Sequence, residues 1–479
     1  MNDRKGFGSN FGFLMAAVGS AVGLGNIWGF PNKMGANGGF PFLILYLALA
    51  LCCGVIIMLG ELALGRKTGH GAVGAYQSIS KRFKWLGWLG IAAAALIFSF
   101  YSALGGYCLR YVVVNFGNLI GAEFGTNGVG GADVFQGLLS QPDVSIAFAL
   151  AFMLITMLVV MSGVGGGIER VCSVGMPALF FILIICIIRS CTLPGAVDGL
   201  KYMFVPGWAV ANGIIDEAPG FWRVLTAAGQ MFFSLSLGAG VMITYGSYLD
   251  KKQDLGKSAM IIVGMDTVVA LMAGLCVIPG RFALDPNGAL GGPELLFITM
   301  QNVFDKMGPA GPVFGILFYL LVFFAAISSS ISMLEVIVAH FCDKAREKGK
   351  GDRRKLYSAI AVVICAALCA LVCADGMGSN HISPAELLGL AGAKLPGWST
   401  SWLGLFDSVA EGLLMPLGAL LMCLMISWEL KPDALRQEIL LNGENRPWVY
   451  DFFRLCVKYI TPLCMLMILY GQISDFFIA

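Results

Sequence analysis

The sequence predicts an all-α membrane protein of about eleven membrane-crossing helices, and three observations carry that prediction. Hydrophobic residues make up 58% of the chain and charged residues only 13%, where soluble domains run near a quarter charged. Mean hydropathy is +0.80. Apolar runs of the roughly 20 residues that cross a bilayer recur from end to end, and the charges of the loops between them alternate.

In chain order the runs fall near 10–36, 40–65, 86–118, 143–162, 168–190, 222–249, 257–280, 309–342, 355–374, 402–428 and 447–474. The 10–36 segment is rich in glycine, and 163–167 divides two adjoining runs. Met1 to Asn10 is short and polar and lacks a small-residue cleavage site, so the first span is expected to be retained. Basic residues cluster after the second span (Arg66, Lys67, Lys81, Arg82, Lys84), after the sixth (Lys251, Lys252, Lys257) and after the eighth (Lys344 to Lys355). The loop from Gly121 to Asp143 carries Glu123, Asp133 and Asp143 with no Lys or Arg. Positive loops stay cytoplasmic. The N-terminus and even-numbered loops are therefore expected inside and the C-terminus outside, in a cell inner (plasma) membrane.

A net charge of +2 gives no argument for nucleic acid or for an acidic partner. Of the fourteen cysteines, Cys365, Cys369 and Cys373 fall at helical spacing. No histidine or acid accompanies them, so they read as small packing residues and not as a metal face.

Two spans are broken by small residues at matching positions. The first contains Gly19-Ser20-Ala21-Val22-Gly23-Leu24-Gly25-Asn26 and the sixth Ser234-Leu235-Ser236-Leu237-Gly238-Ala239-Gly240. Glycine weakens a helix by about 1 kcal/mol relative to alanine, so both segments invite unwinding at membrane depth. Unwound backbone survives there only where it lines a cavity or is buried in protein. Freed carbonyls can ligate a cation, and half-helix N-termini attract a carboxylate. Paired breaks in corresponding halves are the general mark of a transporter's binding site. Close helix packing through Gly19 and Gly23 is the plainer alternative for either break alone.

These stretches resemble the neurotransmitter:sodium symporters, bacterial amino-acid type. The resemblance runs from about Arg4 to the end of the chain and rests on Ala21-Val22-Gly23-Leu24-Gly25-Asn26-Ile27-Trp28, on Gly229 to Gly238, and on Phe-Phe-Ala-Ala-Ile-Ser-Ser-Ser at 323–330. It implies one transmembrane domain with a LeuT-type 5+5 inverted repeat (about 10–190 and 222–428), an extra helix near 447–474, and broken helices 1 and 6. It also implies two sodium ions, no organic cofactor, and a monomer or homodimer. By this likeness the first sodium is held by the Ala21 carbonyl, Asn26, Ser234, Asp266 and the substrate carboxylate. The second is held by the Gly19, Val22 and Ala325 carbonyls with Ser328 and Ser329. Oxygen ligands suit a hard cation, although back-bonding to the helix is the commoner fate of Ser328 and Ser329.

Asp266 stands where animal members carry asparagine. An aspartate at mid-span costs about 2.5–3.5 kcal/mol on insertion scales, which marks it as functional. Its charge is expected to replace the chloride those members need, and its protonation on the return step would add proton antiport. Gly23 stands where monoamine members place an aspartate, so the substrate is expected to bring its own carboxylate, to the backbone of Leu24 and Gly25 and to the Tyr101 hydroxyl. Ile97, Phe233, Ser236, Ala239, Ser329 and Met333 would line an uncharged side-chain pocket. Ala239 replaces a bulky phenylalanine, which leaves room for a large or aromatic side chain unless Met333 fills it.

At the cytoplasmic end Arg4 and Asp343 match a gating pair, with Phe7 in place of a tryptophan and Tyr248 in support. Gly167 and Pro177 match a motif that lets the fifth span unwind; a plain kink at Pro177 is the generic reading. At the outer end Gly29 replaces a gating arginine while Asp407 keeps the partner aspartate; Lys33 is one candidate replacement cation, and an outer gate of Phe233 and Tyr101 alone is the alternative. Glu61 has a family match; Glu335 and Glu411 receive no role. No filter ring, H-E-x-x-H or Walker loop is present, so neither a channel nor an enzyme is expected. A non-transporting sensor and an osmolyte carrier remain as alternatives.

Overall fold

The computed structural model describes residues 6–126, 128–287, 294–351, 353–390, 396–430, 433–440 and 447–478. These residues form helices and connecting turns, with no strand among them. Among the described residues nine helices are long and apolar enough to cross a membrane, and one bent pair passes the same test as a broken span. The bent pair is α1 (Asn10–Ala21) and α2 (Gly25–Ala36), inclined by 44°. The continuous helices before the second break are α3 (Phe40–Thr68), α4 (Lys81–Ile120), α5 (Pro142–Met161) and α6 (Val164–Cys191).

The run predicted at 222–249 is three pieces: α7 (Phe221–Ala228), α8 (Gln230–Ser234) and α9 (Val241–Gly246). Beyond it lie α10 (Leu255–Leu284), α11 (Gly308–Glu347), α12 (Arg354–Gly378), α13 (Trp402–Leu430) and α14 (Pro447–Phe476).

The lipid-like exterior and the packed interior are separated by composition. Phe181, Val363, Ile364 and Leu158 are exposed, the pattern of a surface that meets hydrocarbon. Small residues let the central helices approach: α4 packs along α11 more extensively than any other pair. Residues Gly12 to Ala21 of α1 are largely buried, and α1 lies against α6, α10 and α11. Its start is capped by the Ser9 hydroxyl, which accepts from the Gly12 N–H at 2.9 Å. The glycine-rich first span is thus enclosed along most of its length, with α8 and α9, buried at every residue, beside it.

Candidate functional site

The two breaks lie side by side at the centre of the bundle. In the first, Val22 adopts an extended backbone (φ −73°, ψ 102°), and the helix restarts under a cap formed by Asn26, whose Oδ1 accepts from the Gly23 N–H at 2.9 Å. The next donor, Leu24 N–H, is taken by the Tyr101 hydroxyl at 2.6 Å. In the second break Ser236 sits at φ +54° and Gly238 at φ +82°. A non-glycine residue in that region stores strain of order 1–3 kcal/mol and persists where neighbours over-determine it. Here the Ser236 hydroxyl donates to the Ser20 carbonyl at 3.0 Å, joining one break to the other. A Cβ on Gly238 would stand 2.1 Å from the Met415 carbonyl of α13, so only glycine fits. The Gly238 N–H donates to the buried Glu61 carboxylate at 2.7 Å.

Three of the residues expected around a first sodium ion converge. Asp266 is fully buried in α10. Its Oδ1 accepts from Asn26 Nδ2 at 2.7 Å, and both carboxylate oxygens lie 3.1 Å from the Ser234 hydroxyl. Asn26 Nδ2 also donates to the Asp266 carbonyl at 2.9 Å. The residues expected around a second ion meet as well. Ser328 Oγ is 3.0 Å from the Ala325 carbonyl and 3.5 Å from that of Val22. Ser329 Oγ is 3.4 Å from the Gly19 carbonyl and 3.5 Å from that of Val22. Ser328 also back-bonds to Phe324 at 3.1 Å, so the commoner fate of a mid-helix serine is present beside the inter-helix contacts. A Cβ on Gly19 would lie 3.2–3.3 Å from Ser328, Cys172 and Met176, which brings α6 to the edge of this group.

Between the two groups lies a cavity of ≈250 Å³ lined by Ser20, Ala21, Gly23, Gly25, Ile97, Tyr101, Phe233, Ser236, Ser329 and Met333. None of these residues carries a charged side chain. Tyr101 and Phe233 close one side, their ring centroids 6.4 Å apart. Ala239 is buried but is not among the lining residues, whereas Met333 is.

The match to the model of the sodium:neurotransmitter symporter family covers residues 4–127 and 132–477. The chain belongs to that family. It is similar to the sodium-dependent transporter YhdH of Bacillus subtilis, 37% identical over 476 residues and 97% of each chain. A sodium-dependent transporter of Haemophilus influenzae is 28% identical over 97% of each. Among solved structures, that of MhsT in complex with L-phenylalanine superposes with a TM-score of 0.83 at 34% identity, covering 98% of this chain and 100% of that one. The chain is thus a sodium-dependent transporter with the LeuT-type helical fold.

At the end of the symporter where the basic loops gather, Arg4 lies outside the described residues. Asp343 accepts from the Gly71 N–H at 3.2 Å. Phe7 packs edge-on against Phe13, Tyr245 and Tyr248 at centroid distances of 5.5, 5.6 and 6.3 Å. The Tyr248 hydroxyl donates to Glu335 at 2.6 Å, and Arg354 holds the same carboxylate through two nitrogens, at 2.5 and 3.0 Å. Glu335, left without a role by the sequence, is therefore the centre of a buried cluster joining α11, α12 and the end of the broken sixth span. Helix α6 is wound through Pro177; the interruption comes earlier, at Gly163 (φ +86°), followed by a wide turn at Val164–Glu169. Gly167 serves packing here, since a Cβ would stand 2.1 Å from the Val159 carbonyl.

At the other end, the Gln230 side chain lies against Gly29. A Cβ there would meet Gln230 Nε2 at 2.6 Å, and that amide donates to the Gly25 carbonyl at 2.7 Å. Lys33, Asp407 and Glu411 face one another electrostatically, the two carboxyl groups within hydrogen-bonding reach. Sequence reasoning missed Gln230, and it missed Tyr46, whose hydroxyl reaches Ser234 at 3.4 Å and Asp266 at 3.5 Å. It also missed Glu169, which accepts from the Gly8 N–H at 2.7 Å and the Ser9 hydroxyl at 2.9 Å and so pins the segment bearing Phe7. A glutamine inside an apolar span was a readable signal; Tyr46 looks like any packing tyrosine until the fold places it.

Proposed function

We propose that the protein couples inward sodium movement to uptake of a neutral hydrophobic or aromatic amino acid, without chloride, across a cell inner membrane. The observation that carries the reading is the fully buried Asp266 carboxylate within 3.1 Å of Asn26 and Ser234, beside an uncharged cavity. A buried carboxylate without a basic partner is neutralised by a bound cation or by a proton, and the oxygen-rich surroundings here favour a cation. Asp266, Asn26, Ser234 and the Ala21 carbonyl take one sodium ion, and the Gly19, Val22 and Ala325 carbonyls with Ser328 and Ser329 take a second. The substrate carboxylate meets Tyr101 and the N–H groups of the restarted helix at Leu24 and Gly25. Its side chain lies among Ile97, Phe233 and Met333, with Ala239 behind them. The complex of MhsT with L-phenylalanine supports an aromatic or large aliphatic side chain by likeness.

In this reading the breaks lie between two five-span repeats, near 10–190 and 222–428. The Phe7–Tyr248–Glu335–Arg354 cluster with Asp343 closes the cytoplasmic path, and Lys33 with Asp407 closes the outer one. The N-terminus is inside and the C-terminus outside.

The test is uptake of labelled leucine and tryptophan into proteoliposomes under inward sodium or potassium, in chloride or gluconate. Uptake that needs sodium and survives gluconate supports the reading. Loss of uptake in gluconate refutes the charge substitution. Sodium-dependent binding without flux identifies a sensor, and betaine in place of leucine an osmolyte carrier.

A further inference from the structure

A second cavity, of ≈740 Å³, lies at the Ile120 end of α4, remote from both breaks in sequence. Its walls come from α4 (Arg110, Tyr111, Val114), from the loop and helix that follow (Thr126, Asp133, Val134, Leu138) and from Val144 at the start of α5. Arg110 is half-buried and stacks over Phe148 at 5.9 Å. No carboxylate among the described residues lies within ion-pair distance of it, Asp133 in the same wall included. Tyr111 is fully buried, and its hydroxyl makes no hydrogen bond among the described residues.

Buried polar groups are ordinarily satisfied, and a guanidinium presents a planar fork that matches a carboxylate or phosphate. Asp133 has a local use at the first turn of the helix Gly131–Leu139, where an acid favours the helix dipole. That use leaves its oxygens free to meet a cation. One cavity therefore holds a cation and an anion that do not neutralise each other, between apolar walls of Val114, Val134, Leu138 and Val144.

We propose that this cavity binds a small zwitterion, its anionic oxygens on Arg110 and its ammonium toward Asp133, with any apolar part against the valines. Two sources carry that chemistry: a free amino acid and the headgroup of phosphatidylethanolamine. Equilibrium dialysis of labelled leucine against the purified, delipidated full chain in sodium-free potassium buffer reads the first. Without sodium the central site is silent. Mass spectrometry of phosphatidylethanolamine retained through purification reads the second.

Saturable sodium-independent leucine binding is expected to weaken at least about tenfold in Arg110→Gln, the scale of a lost charged hydrogen bond. Val144→Trp, which fills the cavity and leaves Arg110 in place, should weaken it likewise. Asp133→Asn should remove the advantage of leucine over isovalerate, which lacks the amine. If the headgroup is the occupant, retained phosphatidylethanolamine is lost from Arg110→Gln and Val144→Trp instead. Sodium-dependent uptake after reconstitution reports that each variant is folded. Leucine binding and lipid retention both unchanged in the two variants, or both absent from the wild type, overturn the proposal.

Discussion

Asp266→Asn isolates one quantity, the charge at the first proposed sodium site. The substitution keeps the shape of the side chain. The amide oxygen can still accept from Asn26 Nδ2, now at 2.7 Å, and the Ser234 hydroxyl, now 3.1 Å from each carboxylate oxygen, can accept from the new NH₂ group. What disappears is one negative charge in a site with no solvent exposure. Two unit charges about 4 Å apart interact by about 4 kcal/mol at an effective dielectric of 20, and water entering the site lowers that figure. The expected weakening of the sodium half-saturation is therefore between about tenfold and about a thousandfold, at 1.4 kcal/mol per decade. The assay is leucine uptake into proteoliposomes against sodium concentration, in gluconate and again in chloride. Chloride should restore part of the loss in the variant and leave the wild type unchanged. A variant whose sodium dependence in gluconate matches the wild type would refute the argument, because the buried charge would then do nothing for the ion.

Other outcomes follow from the same geometry. Gly23→Ala places a Cβ 2.4 Å from both Ser329 Oγ and Tyr101 Oη; overpacking of about 1–3 kcal/mol should cut amino-acid affinity about 5–150-fold in equilibrium binding, with the protein still folded by thermal unfolding. Arg354→Gln strands the buried Glu335, at a cost of roughly 3–5 kcal/mol, whereas pairing it with Glu335→Gln should recover most of the stability; a double variant no more stable than the single one in thermal unfolding would contradict the ion-pair reading. Glu61→Gln weakens the cap on the second break, now 2.7 Å from the Gly238 N–H; a loss of about 1.5–3 kcal/mol should appear as a lower unfolding temperature and faster hydrogen exchange at 238–243.

That long apolar helices recur along the chain, and which two segments cannot be plain helices, was legible from one-dimensional signals. Apolar run length, glycine clustering and an aspartate in mid-span need no partner to be read. Motif likeness then named most of the residues that meet around the cavity. It could not say that Ser236 would take φ +54° or that Met333 and not Ala239 would line the pocket. Those depend on how the breaks lean on neighbouring helices. The departure at Gly29 was visible as a missing arginine, yet the Gln230 amide that lies against Gly29 required two spans to be brought together.

By itself the sequence determined the all-α membrane class, the family and the chemistry available at the centre of the bundle, because hydropathy and residue type are properties of single positions. Only the tertiary structure decided which polar groups answer which. It put Tyr46 beside Asp266, closed Arg354 and Tyr248 on Glu335, and kept α6 wound through Pro177. In an apolar interior polar groups need partners, and a partner can lie far along the chain: Asn26 and Asp266 are 240 apart, whereas Arg354 and Glu335 are 19 apart. The physical demand can be read from the sequence, but which side chain meets it is fixed by packing.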